Sequence, residues 1–319
     1  MPDWKLYTGS ADPHDIDLPV APPWRRFDGK PTAEQEPITT DPVDGSKFRP
    51  DAGTVEAVNA ALHLRRPLLL TGRPGSGKSS LIAAVSRELR LGPVLRWHVT
   101  SRSTLQDALY RYDAIGRLHA RNLQRRRPPL TDFLRLGPLG TALLPTVRPR
   151  ALLIDEIDKS DIDLPNDLLD VFERGEFEIP ELTRIAKNTE LIREDANDRE
   201  AVITRGRVRC REFPFVVLTS NGERDFPPAF LRRCIRHQMP DPSPEQLAKI
   251  VTAHLGTERA LAATELVKDF AKRAATTKAL STDQLLNAAH LVTGQLPPEG
   301  AERNRVVELL LRQLTADAT

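Results

Sequence analysis

A glycine-rich loop between a predicted strand and a predicted helix constrains this chain more than any other feature. The loop, residues 72–79, reads GRPGSGKS and fits the pattern G-x-x-x-x-G-K-[ST] without a mismatch. The apolar run PLLL at 67–70 predicts a buried strand before the loop, and SLIAAVSREL at 80–89 predicts a helix after it. Backbone N–H groups in such a loop, together with the helix N-terminus, attract phosphate groups. The sequence therefore predicts an α/β fold with a nucleotide site at the end of its first strand.

The residues of this loop have separate predicted roles. The three glycines let the backbone wrap closely around phosphates. Lys78 is expected to reach the β- and γ-phosphates, and Ser79 is expected to hold Mg²⁺. The predicted ATP/ADP-binding residues are Gly72, Arg73, Pro74, Gly75, Ser76, Gly77, Lys78, Ser79, Ser80 and Asp155, and those predicted to hold Mg²⁺ are Ser79 and Asp155.

An acidic pair, Asp155 and Glu156, follows the apolar run ALLI at 151–154. Ligands of open α/β sheets bind beyond the carboxyl ends of the strands, where this pair is expected to lie. Asp155 would support the Mg²⁺ shell, and Glu156 would orient and polarise an attacking water. Because the pair begins 77 residues after Lys78, the two motifs together favour hydrolysis over transfer to a small acceptor.

Strands alternating with helices predict the fold class, an α/β P-loop NTPase core with a five-stranded parallel sheet and helices on both faces. The predicted strands lie at 67–70, 93–100, 151–158, 213–221 and 235–239. Beyond residue 240 only helical patterns follow, with capping boxes at Ser243 and Ser281. We expect an N-terminal arm at 1–50, an ATPase core at 51–240 with insertions at about 101–150 and 175–212, and a helical lid at 241–319.

The N-terminal arm is rich in proline and lacks a helical apolar period. Residues 1–50 hold 9 of the 27 prolines, with 9 acidic and 6 basic residues, so the arm should not fold alone. Yet it carries large aromatic side chains, Trp4, Tyr7, Trp24 and Phe27. Two interpretations remain open: the arm docks on a neighbouring subunit or a partner, or it is an extended strap on its own domain.

Composition excludes several classes of protein. A net charge of +2 is too small to indicate a nucleic-acid binder by itself, and two cysteines cannot form a disulfide framework. The chain has no run near the roughly 20 apolar residues of a membrane span, and its N-terminus lacks the pattern of a secretion signal. The histidines are scattered, so Mg²⁺ is the only expected metal. We expect a cytoplasmic protein with no membrane span.

Several segments together resemble the AAA+ ATPases, and more closely their MoxR-like branch. These segments are GRPGSGKS, LLIDEID, LTSN ending at Asn221, PPAFLRRC at 227–234, LGPLGTALL at 136–144 and RPRALLIDEIDKSD at 148–161. The resemblance covers roughly residues 45–319 and leaves the arm unmatched. It implies a chaperone-like remodeller of a protein client, with a von Willebrand factor A-domain protein as the first guess, in a bacterial setting.

The resemblance also implies roles for individual residues. Asn221 matches the polar sensor that helps to position the lytic water. Arg233, with Arg232 as the next candidate, matches the arginine that such ATPases insert into the neighbouring subunit's site. A shared site implies a homo-oligomeric ring, with six subunits the expected number. Asp283 stands where the branch usually has a second sensor arginine, which puts nucleotide-driven lid movement and the turnover rate in doubt.

The two insertions carry arginine patterns that leave the function partly open. Arg117, Arg121 and Arg125 would share a helical face, and Arg205, Arg207, Arg209 and Arg211 would share one side of a strand. The resemblance implies hairpins that project from the ring toward an acidic partner or nucleic acid; solvated hairpins balanced by nearby acids are the plainer interpretation. Two alternatives to the remodeller therefore stand: a nucleic-acid motor or loader, and a slow nucleotide-gated scaffold.

Overall fold

A computed structural model describes residues 4–31, 45–123, 128–185, 188–195, 199–276 and 280–311. The strands are β1 (Leu68–Thr71), β2 (Leu95–His98), β3 (Tyr110–Tyr112), β4 (Leu134–Leu136), β5 (Ala151–Asp155), β6 (Glu176–Glu178), β7 (Thr189–Arg193), β8 (Glu200–Thr204), β9 (Arg207–Arg209), β10 (Phe215–Ser220) and β11 (Ile235–Gln238). The helices of the core are α1 (Ala52–Leu64), α2 (Lys78–Glu88), α3 (Leu105–Leu109), α4 (Ala114–Leu123), α5 (Pro138–Ala142), α6 (Leu164–Arg174), α7 (Pro180–Thr183) and α8 (Pro228–Leu231). The C-terminal helices are α9 (Pro244–Leu255), α10 (Thr257–Ala262), α11 (Thr264–Thr276), α12 (Thr282–Val292) and α13 (Gly300–Leu310).

The central sheet has the strand order β11-β1-β10-β5-β2, and all its neighbouring strands are parallel. The three inner strands, β1, β10 and β5, are buried on both faces, which explains their largely apolar sequences, whereas residues of the edge strands β2 and β11 alternate between less and more exposed positions. In β1, Leu68 and Leu70 pack into one hydrophobic cluster, and Leu69 packs into the cluster on the opposite face. The predicted fold class, a P-loop α/β core with a helical C-terminal segment, is confirmed.

A second sheet, with the order β3-β4-β7-β8-β9-β6, combines strands from both insertions. Strand β4 of the first insertion pairs in parallel with β7 of the second, through Arg135 and Arg193. Two stretches that are separate in sequence therefore form one layer beside the central sheet. Ile192, Ile203 and Val208 from this layer join the same hydrophobic cluster as Leu69.

The prediction that four alternating arginines share one side of a strand is wrong. Strand β9 spans only Arg207–Arg209, because Arg205 and Gly206 have positive φ angles of 53° and 68° and form the two-residue turn of the β8–β9 hairpin. Arg207 pairs with Glu178 across the sheet, at 2.5 Å. Arg209 pairs with Glu176 at 2.6 Å and with Asp28 at 2.7 Å. Of the arginines predicted to share a face of α4, Arg125 lies outside the described residues.

The described part of the arm, residues 4–31, packs on the core of its own chain. Tyr7 is buried in the cluster that also contains Leu68. Arg25 is buried as well, and it donates hydrogen bonds to the carbonyls of Arg65 and Phe172. Trp24 and Trp4 instead remain largely exposed.

The five C-terminal helices enclose a hydrophobic cluster of their own, which includes Leu247, Phe270 and Leu285. The two predicted capping boxes are both present at helix N-termini, at Ser243 for α9 and at Ser281 for α12. We call this segment, from α9 to α13, the lid. Within the described residues, no helix is both long enough and apolar enough to cross a membrane.

Candidate nucleotide-binding site

The glycine-rich loop connects the end of β1 to the start of α2, as predicted from its motif. Gly77 caps α2 with a φ of +86°, which lets the chain enter the helix directly after the loop. Lys78 is buried, and its ammonium donates to the carbonyls of Gly72 (2.7 Å) and Arg73 (2.8 Å) and to Oδ1 of Asn221 (2.9 Å). Burial lowers the pKa of Lys78, with the nearby carboxylates opposing that shift.

Close contacts explain why the loop needs its glycines. A Cβ on Gly75 would come within 2.6 Å of Cβ of Ser281 at the start of α12. A Cβ on Gly77 would come within 2.8 Å of the Phe48 ring. Among the described residues, none forms a hydrogen bond with the buried hydroxyl of Ser76. A closely wrapped loop, a buried ammonium and an unused hydroxyl fit a nucleotide phosphate chain.

The predicted Mg²⁺ ligands meet at the end of β5. The Ser79 hydroxyl donates to Oδ1 of Asp155 at 3.0 Å, although 76 residues separate them. The Thr219 hydroxyl donates to the same oxygen at 2.5 Å and accepts from the backbone N–H of Glu156 at 2.9 Å. A hydroxyl beside a carboxylate is a donor set that Mg²⁺ prefers. No cluster of three or more His, Cys, Asp or Glu suited to a metal occurs in the described part of the chain.

The candidate general base, Glu156, sits in a left-handed backbone conformation with φ of +60° and ψ of +47°. Its carboxylate is held by two basic side chains: Oε2 lies 2.8 Å from Nζ of Lys159 and 3.4 Å from Nε2 of His98. The hydrogen bond that the Lys159 ammonium donates to Glu156 raises the pKa of Lys159. Strain in the backbone of a non-glycine residue beside a ligand site is a frequent mark of functional positions.

The loop after β10 presents Asn221 to Lys78 because a buried carboxylate holds its backbone. Oδ2 of Asp158 accepts from the N–H groups of Asn221 (2.9 Å) and Glu223 (3.1 Å), and Asp158 is only 3% exposed. The side-chain amide of Asn221 therefore stays directed at the phosphate loop.

The two candidate arginine fingers do not contact the phosphate loop of their own chain. Nε of Arg233 lies 3.1 Å from Glu173 on α6, and its Nη1 donates to the carbonyl of Ala229. Arg232 is exposed, and its carbonyl accepts from the Arg66 guanidinium. Both arginines lie at the end of α8.

A cavity lies beside the loop, between the core and the lid. Its walls include Phe48 and Met239 from the core and Ile250 and Leu286 from the lid. Ser80 and Asp283 also line it, whereas Pro74 and Arg73 line a neighbouring cavity against α11. Asp283 lies in the first turn of α12, as predicted.

Sequence reasoning missed three residues that organise the site: Thr219, Asp158 and Lys159. Thr219 stands two residues before Asn221, and Asp158 and Lys159 follow the acidic pair after one intervening residue, Ile157. Their closeness to the recognised motifs was the only feature of the sequence that could have indicated their role. Burial of Asp158 and the convergence of Thr219 on Asp155 are tertiary facts, which residue spacing does not encode.

The strand order, the phosphate loop and the paired Ser79 and Asp155 define the class of this chain, a P-loop nucleotide-binding protein with a helical lid. The family model described as AAA domain (dynein-related subfamily) matches residues 67–234, more than half of the chain. The chain belongs to this family of AAA+ ATPases.

One similar solved structure is NtrX from Brucella abortus in complex with ADP. It has 13% sequence identity to this chain and a TM-score of 0.35, and the match covers 77% of this chain and 50% of that one. This chain thus spans about half the length of that neighbour. No curated protein matches this chain.

Proposed function

We propose that this chain binds ATP with Mg²⁺ and hydrolyses it to ADP and phosphate. The observation that supports the proposal is that two pairs of residues from different motifs meet at the same edge of the central sheet. Lys78 contacts Asn221, and Ser79 contacts Asp155, within hydrogen-bond distance and across more than 70 residues of sequence. Glu156 follows Asp155 directly, so a potential proton acceptor stands beside the phosphate-binding groups.

The residues of the site would divide the reaction between them. Ser79 and Asp155 would hold Mg²⁺, whose charge neutralises the phosphate oxygens when it is bound. The ammonium of Lys78 would leave the loop carbonyls and bind phosphate oxygens. Glu156 would accept a proton from the water whose oxygen attacks the γ-phosphorus, while the bond to the β–γ bridging oxygen breaks. Asn221 would orient that water.

We further propose that the working form is a ring, with six subunits expected, in which Arg233 completes the neighbour's site. An arginine fork there would stabilise negative charge on the transferring phosphoryl group. Such a ring of MoxR-like type would act in the cytoplasm as a remodeller of a protein client, with a von Willebrand factor A-domain protein as the first candidate. That identity is supported by the sequence resemblance alone.

One observation favours the alternative of a slow, nucleotide-gated scaffold. Lys159 and His98 both contact the carboxylate of Glu156, and the carboxylate would have to leave these contacts before it could accept a proton from an attacking water. The nucleic-acid motor has less support, because Arg207 and Arg209 are already paired with Glu178, Glu176 and Asp28.

The test is the ATP hydrolysis rate per subunit, with Mg²⁺, across a wide range of protein concentration. We expect a cooperative rise in the wild-type protein. Glu156→Gln and Arg233→Ala should bind ATP but lose at least about 100-fold in rate. Arg305→Ala, at an exposed arginine on α13, is the matched control and should keep the wild-type rate.

The outcomes separate the candidates. A flat, low rate with normal ATP affinity favours the scaffold and argues against a ring that assembles alone. If Arg233→Ala is as active as Arg305→Ala, the proposal that Arg233 completes the neighbouring subunit's site is refuted. A wild-type protein that binds no ATP at all would refute the proposed activity itself.

A further inference from the structure

Arg73, the second residue of the phosphate loop, reaches across the groove to the lid. Its Nη2 lies 3.1 Å from Oδ2 of Asp241, in the linker that leads from β11 into α9. Its Nη1 donates to the carbonyl of Ala274 at 3.5 Å, in the last turn of α11. Carbonyls at a helix C-terminus carry partial negative charge, so a guanidinium is favoured there. The planar fork of an arginine can hold both acceptors at once.

The same loop touches the lid at a second point. Gly75 packs so closely on the start of α12 that a Cβ would come within 2.6 Å of Ser281 and 3.2 Å of the Thr282 nitrogen. The phosphate loop therefore contacts the end of α11 through Arg73 and the start of α12 through Gly75. A shift of the loop by a fraction of an ångström must displace one of these lid elements or break its contact.

The backbone of Arg73 is also tied to the phosphate-binding lysine. Its carbonyl accepts from the Lys78 ammonium at 2.8 Å, beside the carbonyl of Gly72 at 2.7 Å. Phosphate oxygens compete for that ammonium, because charge-assisted hydrogen bonds to anions are stronger than those to carbonyls. When Lys78 turns to a phosphate, the carbonyl of Arg73 loses its charged donor and keeps only the longer hydrogen bond from the Ser76 N–H, at 3.3 Å. Its peptide plane is then held less firmly and can reorient.

The lid itself offers no arginine or lysine to the groove among the described residues that line the two cavities. On the lid side the polar residues among them are Gln246, His254, Thr282 and Asp283, and the others are apolar. Arg73, on the core side, reaches from the loop to the lid with its guanidinium. It therefore provides a direct charged connection between the phosphate loop and the lid.

We propose that Arg73 couples the occupancy of the phosphate loop to the position of the helical lid. The inference rests on the proposed nucleotide binding. Its three steps are all local: phosphate withdraws Lys78 from the Arg73 carbonyl, the peptide of Arg73 reorients, and its guanidinium transmits the change to Asp241 and to the end of α11. Arg73 is thus a positioning residue, and the lid responds to nucleotide although no described arginine of the lid lines the two cavities.

The experiment compares lid exchange with and without nucleotide in the full-length chain. Amide hydrogen exchange over Thr264–Thr276 and Thr282–Val292 is measured in the free protein and with saturating ADP and Mg²⁺. Occupancy is verified separately by titration with a fluorescent ADP analogue. The variants are Arg73→Met, which keeps the length and removes the charge, Arg73→Lys, which keeps the charge and loses the fork, and Asp241→Asn. Arg174→Met removes an exposed arginine that pairs with Asp170 within α6, and it serves as the matched control.

We expect ADP to change the exchange rate of these two lid segments by about threefold or more in the wild-type protein and in Arg174→Met. At equal ADP occupancy the ratio should fall to about one in Arg73→Met and be intermediate in Arg73→Lys and Asp241→Asn. Because a general loss of stability would change exchange equally with and without ADP, the ratio is insensitive to a merely structural role.

Each of the other possible results refutes either the proposed coupling or the proposed nucleotide site. A full lid response in Arg73→Met, or no lid response in an ADP-bound wild-type protein, overturns the coupling and leaves the proposed ATPase intact. If Arg73→Met fails to bind ADP, the proposal is tested with Asp241→Asn, because this variant leaves the loop sequence unchanged. A wild-type change in lid exchange on ADP binding by Asp241→Asn would then overturn the proposal. Absence of any ADP binding by the wild-type protein would instead refute the proposed nucleotide site.

Discussion

The anchor of the N-terminal arm gives the sharpest stability prediction. Glu88, in the last turn of α2, is completely buried. Its Oε1 accepts from the Thr8 N–H (2.6 Å), the Thr8 hydroxyl (2.9 Å) and the Gly9 N–H (3.3 Å), and its Oε2 accepts from the Ala11 N–H (3.0 Å). One carboxylate thus holds four donors of the arm against the helix that carries the phosphate loop.

Removing this carboxylate should detach the arm and destabilise the core. A hydrogen bond to a charged group contributes about 1.5–3 kcal/mol, and the freed donors recover part of that cost by reaching water. We therefore expect Glu88→Ala to lower the free energy of unfolding by about 4 kcal/mol. Glu88→Gln keeps one oxygen for the Thr8 donors but turns an NH₂ group toward the Ala11 N–H. It should cost about 2 kcal/mol, roughly half as much.

The assay is urea unfolding followed by circular dichroism, together with limited trypsin digestion. In Glu88→Ala, cleavage after Lys5, Arg25 and Arg26 should be accelerated before the core is attacked. Glu56→Ala, at an exposed glutamate on α1, is the control and should change stability by less than about 0.5 kcal/mol. Equal costs for Glu88→Ala and Glu88→Gln, or a cost below about 1 kcal/mol for Glu88→Ala, would refute this account of the arm.

Three further predictions concern the site and the thiols. Thr219→Val removes the hydroxyl that positions Asp155 and Glu156, so kcat for ATP should fall about tenfold with little change in KM; an unchanged kcat would contradict this role. Burial raises the pKa of Cys210 and Cys234 to about 12, so Ellman's reagent at pH 8 should label neither thiol before unfolding and both afterwards. Because burial lowers the pKa of Lys78, its ammonium loses its proton at a lower pH than an ordinary lysine does. The affinity for a fluorescent ADP analogue should therefore begin to weaken at a lower pH than the one at which an ordinary lysine loses its proton. An affinity that stays constant until that pH is reached would count against this prediction.

Much of the site could be predicted because its parts carry local signatures. The phosphate loop needs glycines and a lysine at fixed spacing, and a buried strand before an acidic pair is an unbroken apolar run. The structure accordingly brings Ser79 within hydrogen-bond distance of Asp155, and Lys78 contacts Asn221, a residue that only the family resemblance had indicated. Thr219 and Asp158 could not be found in this way, since their importance arises from burial and from partners 63–65 residues away.

The insertions show where local patterns fail. Alternation of Arg205, Arg207, Arg209 and Arg211 predicted one long basic strand face, but a two-residue turn at Arg205 and Gly206 ends the pattern after its first member. The remaining strand residues then face Glu178 and Glu176 on β6, which neutralise them. Pairing of β4 with β7 joins the two insertions in one sheet, and such a register depends on long-range contacts rather than on either segment alone.

The sequence by itself determined the parallel sheet, the helical lid and the chemical identity of the phosphate site, because these depend on short-range periodicity and on motif spacing. Only the tertiary structure decided what those parts contact. It placed Arg73 between the loop and the lid, Lys159 on the carboxylate of Glu156 and the arm on Glu88. Each of these contacts joins two residues of opposite charge or a hydrogen-bond donor and its acceptor. Whether the two groups come together depends on how the whole chain packs. That packing is fixed by burial of three hydrophobic clusters rather than by local sequence.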